Sequence, residues 1–351
     1  MNEPTSSVHQ NVDGEKSARY GLVPYEPPKL ALCEEPDMRI HQPDLDNVVF
    51  ICSRERTPIK EGAERRNIPK ATGFFVEMQH GHEPNVVWTY LVTARHVIHN
   101  REGITELFVR LRKKTGGYVD HQIDSKHWIC SNQTDLAILP FSPQDEFIYS
   151  AIPIERLVGP GPDYKYNGPP WGSRDAGVQV GMGDDIISLG LFVQNQGQTG
   201  DLPIARFGHV SRMPSIIAKH KIAFLPNGIE RKDIVAYLAE FLSWGGQSGS
   251  PVYWLYPEGV YMSSKSPQTR GVFRALLGLV VGHLPRLSKP VDKDDETEEI
   301  DEVRVKLNTG IAIIVPSEAI RELLMSPEIA EQRKAYLERI KNEHRDDIEL
   351  D

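Results

Sequence analysis

From Val48 to Pro316 the apolar residues of this chain gather in short runs bounded by polar, glycine-rich or proline-rich segments. Val86-Val87-Trp88-Thr89-Tyr90-Leu91-Val92 is one such run, and Leu136-Ala137-Ile138-Leu139 is another. Ile234-Val235-Ala236-Tyr237-Leu238 and Val252-Tyr253-Trp254-Leu255-Tyr256 follow. Their length and their content of β-branched and aromatic residues predict strands. From Ser317 the period changes. Ser317 is placed as an N-cap, and Ile320, Leu323 and Leu324 recur at helical spacing. The Ser326-Pro327 step predicts the start of a second helix carrying Ile329, Tyr336, Leu337 and Ile340. These helices are expected to pack on the β-rich body.

The pattern divides the chain into five sections. Residues 1–45 are polar and hold no sustained period, so they read as a flexible N-terminal arm. Residues 46–145 form a first β-rich unit. Residues 146–182 include Gly159-Pro160-Gly161-Pro162 and Gly168-Pro169-Pro170-Trp171-Gly172, which mark an irregular connection. Residues 183–316 form a second β-rich unit, and residues 317–351 form C-terminal helices with a charged tail.

Composition narrows the class. At 351 residues, with 39% hydrophobic and 8% aromatic positions, the chain can bury a substantial core. A net charge of −9 argues against nucleic acid as a partner. The acidic run from Asp292 to Glu302 and the mixed charges from Lys341 to Asp351 read as solvated segments. Cys33, Cys52 and Cys130 are too few and too irregularly spaced for a disulfide framework. Met1-Asn2-Glu3-Pro4-Thr5 opens no secretory signal, and no stretch approaches the ~20 apolar residues that cross a bilayer. The expectation is a cytoplasmic, reducing setting with no membrane partner.

Three motifs carry chemistry: Thr93-Ala94-Arg95-His96, Thr134-Asp135-Leu136 and Gly246-Gln247-Ser248-Gly249-Ser250-Pro251. A serine hydroxyl is a weak nucleophile at neutral pH and needs an adjacent base. Imidazole suits that task, and a carboxylate can fix its tautomer and stabilise the imidazolium. His96, Asp135 and Ser248 are therefore the candidate base, orienting acid and nucleophile, in that chain order. All three stand at strand ends or in loops, where a rigid scaffold presents function. Gly246 and Gly249 allow a tight turn, so the N–H groups of Gly246 and Ser248 are the candidate oxyanion hole.

With these motifs the chain resembles trypsin-like serine peptidases of the chymotrypsin fold, nearest to the HtrA-type and glutamyl-endopeptidase-like bacterial branches. Further stretches share the resemblance. They are Thr72-Gly73-Phe74-Phe75-Val76, Gly183-Asp184-Asp185-Ile186-Ile187-Ser188-Leu189-Gly190 and Phe207-Gly208-His209-Val210-Ser211. Leu277-Gly278-Leu279-Val280-Val281-Gly282 and Asn308-Thr309-Gly310-Ile311-Ala312-Ile313 complete the set. The resemblance implies an all-β fold of two six-stranded antiparallel β-barrels with a C-terminal helical extension. It also implies a protein or peptide substrate and no cofactor.

The departures are specific. Gln247 stands where trypsin has the aspartate that pairs with a new N-terminus, so activation by that ion pair is not expected. A regulatory protein partner or the N-terminal arm is the expected control. Val281 replaces a hydroxyl residue that orients the aspartate in many relatives. The resemblance implies a substrate pocket walled by Leu242, by Val281, Gly282 and His283, and by Ile311 and Ala312. Leu242 offers no counter-charge to Lys or Arg, so small or medium apolar side chains are expected before the cut. Capture of an acidic side chain by His283 ranks second, because the histidine of the glutamyl endopeptidases aligns with Val280.

Two rival constellations fall short. His80-Gly81-His82 with His99 has no Cys or carboxylate at ligand spacing, so no metal is expected. Gly181-Met182-Gly183 lacks the strand–helix setting of a dinucleotide site. Two function classes stay open: an intracellular serine endopeptidase of restricted substrate range, and an inert protease fold kept as a binding module.

Overall fold

Alternate side chains of each strand enter different cores, and this explains the near-continuous apolar runs. In β1 (Val48–Arg54) Val48 and Phe50 join one buried cluster, while Val49 and Ile51 join another. In β2 (Asn67–His80) Phe74 and Val76 join the first cluster, and Ala71 and Phe75 the second. The same division holds for Tyr90 and Val92 against Leu91 in β3 (Glu83–Thr93). Strands buried on both faces lose the polar alternation of a half-exposed sheet.

The computed structural model describes residues 40–54, 66–80, 83–98, 106–159, 180–192, 202–225, 228–242, 245–257, 272–288 and 305–348. Most of the expected N-terminal arm, most of the Gly/Pro-rich connection, the acidic run from Asp292, and Cys33, His82 and His99 lie outside the described residues.

Among the described residues, the first sheet holds nine strands. Besides β1–β3 these are β4 (Glu106–Lys113), β5 (Tyr118–Asp124), β6 (Ile129–Cys130), β7 (Ala137–Pro140), β8 (Phe147–Ile148) and β9 (Ile152–Pro153). The order is β5-β4-β1-β2-β3-β7-β6, with β8 on β4 and β9 on β2. The β2–β9 pair is parallel, and the other pairs of this sheet are antiparallel. This unit thus differs in detail from a six-stranded ring: its pairing runs from β5 to β6, and three of its strands are two residues long.

The second unit is a closed six-stranded barrel. Its strands are β10 (Asp185–Gly190), β11 (Ile204–Leu225), β12 (Gly228–Glu240), β13 (Pro251–Pro257), β14 (Val272–Ser288) and β15 (Val305–Pro316). They close in the order β10-β11-β12-β15-β14-β13. One apolar cluster is common to both units, bringing Val92 and Ile138 together with Ile187, Ile222, Leu279 and Val315. That shared core fixes the two units against each other and so fixes the groups at their junction.

The fold is mostly β: two β-units, the second a closed barrel, with two short helices α1 (Gln42–Asp46) and α2 (Arg95–Ile98) ahead of the barrel and helices α3 (Ser317–Leu324) and α4 (Pro327–Ile348) after it. Ile320 and Leu324 of α3 and Ile329 of α4 are buried in the shared cluster. Arg333 of α4 donates to Tyr90 Oη at 3.2 Å and to the Leu324 carbonyl at 2.8 Å, and Tyr336 packs edge-on against Trp88.

Candidate active site

The first strand to reach the site is β3. It ends at Thr93, and a single helical turn, α2 (Arg95–Ile98), follows and carries His96. The loop before β7 carries Asp135. Its backbone is pinned on both sides: Ser131 N–H donates to the Leu136 carbonyl, and Ser131 Oγ accepts from the N–H groups of Gln133 and Thr134. Asp135 is fully buried and reaches back to His96 twice. Its Oδ1 accepts from the His96 backbone N–H at 2.9 Å, and its Oδ2 lies 2.6 Å from His96 Nδ1. On the other edge of the ring, His96 Nε2 lies 3.0 Å from Ser248 Oγ. The structure thus brings His96, Asp135 and Ser248 into one hydrogen-bonded line.

The turn that carries Ser248 needs its glycines. Gly246 has φ 97° and Gly249 has φ 86°, a region that residues with a Cβ rarely enter. A Cβ at position 249 would also stand 2.1 Å from the Thr72 carbonyl oxygen. The turn is locked to β14 by Gly249 N–H on the Val280 carbonyl (2.7 Å) and by Val280 N–H on the Ser250 carbonyl (2.9 Å). It is locked to the first sheet by Thr72, whose N–H donates to the Ser248 carbonyl at 3.0 Å. Among the described residues, no carbonyl accepts from the N–H of Gly246 or of Ser248.

Two residues at this junction escaped the sequence reading. Thr72 was visible only as part of a strand motif. Its hydroxyl, fully buried, donates to the Gly246 carbonyl at 2.8 Å and accepts from Leu191 N–H at 3.0 Å. His220 of β11 places Nε2 3.0 Å from Asp135 Oδ2. Nothing in the sequence around His220 marks it, since it sits between two lysines.

The electrostatics follow from this crowding. Burial alone would raise the Asp135 carboxyl. The positive potential and hydrogen bonds of His96 and His220 outweigh it and hold the carboxyl below its ordinary range. Asp135 is therefore the fixed anion of the site.

The expected pocket residues separate into two groups. Leu242 is half exposed and stands with Thr309 and Gly310 on a surface cleft of about 570 Å³, together with Phe207, His209 and Glu240. Val281 and Ala312 are buried among core side chains instead. Gly282 and His283 lie on β14, paired with Ile313 and Ala312, and Ile311 pairs with Glu240. The residues lining the cleft do not include Val281, Gly282 or His283. Among the described residues, no group of three or more His, Cys, Asp or Glu side chains could hold a metal ion.

The chain is structurally similar to the MamO protease domain from Magnetospirillum magneticum in its apo form. The identity is 14%, the match covers 82% of this chain and 100% of that one, and the TM-score is 0.42. It is also similar to the Rv3671c protease from M. tuberculosis in its active form, at 15% identity, 80% of each chain and a TM-score of 0.39. No protein-family profile and no curated protein sequence matches the chain.

Proposed function

We propose that this protein is a serine endopeptidase that works through an acyl-enzyme. The observation that carries the reading is the line from Asp135 through both nitrogens of His96 to Ser248 Oγ, at 2.6 and 3.0 Å. Ser248 Oγ attacks the carbonyl carbon of the scissile peptide, and His96 Nε2 takes the hydroxyl proton. Asp135 stabilises the imidazolium so formed. The negative charge on the carbonyl oxygen falls to the N–H groups of Gly246 and Ser248; losing one such donor typically slows the reaction about 100- to 1000-fold. His96 then gives its proton to the leaving amine. Water, deprotonated by the same imidazole, releases the acyl group and restores the serine.

The substrate is a protein or peptide of restricted sequence. Gln247 offers no carboxylate for a freed N-terminus, so control falls to a protein partner or to residues 1–45. The cysteine usage fits a reducing, intracellular setting.

The test uses the full chain and a fluorophosphonate probe. A covalent adduct is expected on Ser248, with loss of labelling in both Ser248→Ala and His96→Ala. Absence of any adduct on the wild-type chain would favour the inert binding module.

A further inference from the structure

Two histidines hold Asp135, and the mechanism above uses one of them. The other, His220, lies 85 residues downstream of Asp135, on β11 of the second barrel. Its side chain is about 10% exposed, and that of Asp135 not at all.

His220 reaches the carboxylate because the β11–β12 hairpin leans over the loops that carry His96 and Asp135. Arg95, beside His96, donates to Glu230 at 3.1 Å and to the Ser131 carbonyl at 3.1 Å. Lys232 donates to the Asn132 carbonyl. The hairpin register shifts between Ile217 and His220. Within that irregularity Lys219 has φ 52°, the one positive φ of a non-glycine residue among the described residues. Its N–H donates to Asp233 Oδ1 at 2.8 Å, and its carbonyl accepts from Arg231 at 3.1 Å. Left-handed backbone is unfavourable for a lysine, and it persists where surrounding bonds over-determine it. A bulge of this kind re-aims the next side chain, here His220, towards the site. Gly282 of β14 borders the imidazole: a Cβ there would stand 3.5 Å from His220 Cε1, an ordinary contact.

We propose that His220 is a positioning residue, whose Nε2–H donates to Asp135 Oδ2 and fixes the carboxylate that orients His96. The proposal rests on the catalytic reading of the site. The chemistry is that of a buried anion: a carboxylate shielded from water needs donors on its lone pairs, and a neutral imidazole offers one. Oδ1 accepts from the His96 backbone N–H, and Oδ2 faces both His96 Nδ1 and His220 Nε2. Without His220, Oδ2 keeps a single side-chain donor and the carboxylate gains rotational freedom about its Cβ–Cγ bond.

The test compares His220→Leu with His220→Gln, whose amide keeps a donor at similar reach. With a saturable fluorophosphonate on the full chain, maximal inactivation rate and half-saturation are read separately. His220→Leu is expected to lower the maximal rate about tenfold, as for loss of one charge-assisted hydrogen bond, with half-saturation unchanged. His220→Gln should return the rate to within about threefold of wild type. The low-field proton resonance of His96 Nδ1–H should shift in His220→Leu and hold in His220→Gln. An unchanged rate in His220→Leu, equal losses in both variants, or an unmoved resonance would overturn the proposal. If wild-type Ser248 takes no label, the catalytic reading fails, and the resonance alone decides the role of His220. Should His220→Leu not fold, His220→Ser, too short to reach Asp135, takes its place in each measurement.

Discussion

Thr72 Oγ1 donates to the carbonyl oxygen of Gly246 at 2.8 Å, so a hydroxyl of the first sheet sets one peptide of the turn that carries Ser248. The same oxygen accepts from Leu191 N–H, and the Thr72 carbonyl in turn accepts from Thr93 Oγ1 at 2.8 Å. One buried residue, through its hydroxyl and its carbonyl, thus couples the strand leading to His96, the turn of Ser248 and the end of β10. Because the Gly246 carbonyl is fixed, the direction of the neighbouring N–H groups is fixed with it.

Thr72→Val keeps the shape and removes both bonds. An unpaired buried acceptor or donor costs about 1–3 kcal/mol, so the variant should lose about 2 kcal/mol or more in urea unfolding. Labelling of Ser248 should slow as well, because the oxyanion donors lose their reference. Thr72→Ser should recover most of both losses. Equal stability of the valine variant and wild type would remove Thr72 from this role.

The three groups of the relay were legible in the sequence because their chemistry demands particular residue types, and each stands where a recognisable strand begins or ends. The two residues that tune them were not. The hydroxyl of Thr72 is one of many in the chain, and its work depends on a turn 174 residues away. His220 sits in Lys219-His220-Lys221, which reads as a solvated stretch, and only a register shift turns it inward. The length of β11 was hidden by Pro214, since proline within a run argues against a strand. Here it falls in the register irregularity between Arg212 and Ser215. The first sheet was the harder unit to outline because two-residue strands such as β6, β8 and β9 show no period at all.

Lys219 gives a prediction about backbone strain. Its φ of 52° is left-handed, a conformation that costs an L-residue roughly 1–2 kcal/mol and a glycine almost nothing. Glycine carries a larger unfolded-state entropy, which offsets about 0.5–1 kcal/mol of that gain. Lys219→Gly should therefore be neutral to slightly stabilising in thermal or urea unfolding. Lys219→Val, with a β-branched side chain that enters this region poorly, should be less stable than wild type by about 1 kcal/mol or more. Wild-type stability in Lys219→Val would mean that the bulge is not strained.

Asp135 links the site to acid stability. Its folded carboxyl titrates below the ordinary value of 3.8, because the two histidines outweigh its burial. A depressed acid contributes stability that is complete above the unfolded value and is lost as pH falls through the folded one. The wild-type unfolding free energy should therefore decline as pH falls below the ordinary carboxyl value of 3.8, and Asp135→Asn should flatten that part of the curve. The same variant should label at Ser248 about 10,000-fold more slowly at neutral pH, since an amide cannot hold His96 in the required tautomer. A parallel acid decline in both proteins would show that Asp135 does not carry the linkage.

The substrate preference of the proposed peptidase turns on Leu242. It is 52% exposed, and Gly310 stands next to it, with 3.9 Å between a Cβ at position 310 and Leu242 Cδ2. An apolar side chain at this place offers no anion to a Lys or Arg, whose buried charge would lose hydration without replacement. Cleavage is therefore expected after small or medium apolar residues such as Ala, Val or Leu, and poorly after Lys or Arg. A peptide library sorted by the residue before the cut measures this directly. Leu242→Asp should then shift preference towards Lys and Arg by at least about tenfold, as one new charge pair in a shielded site supplies more than 1.4 kcal/mol. Dominant cleavage after Lys or Arg by the wild-type chain would refute the role of Leu242 and point to Glu240, which lines the same cleft. Dominant cleavage after Glu or Asp would point to His283, and His283→Ala should then abolish that cleavage while sparing cuts after Ala.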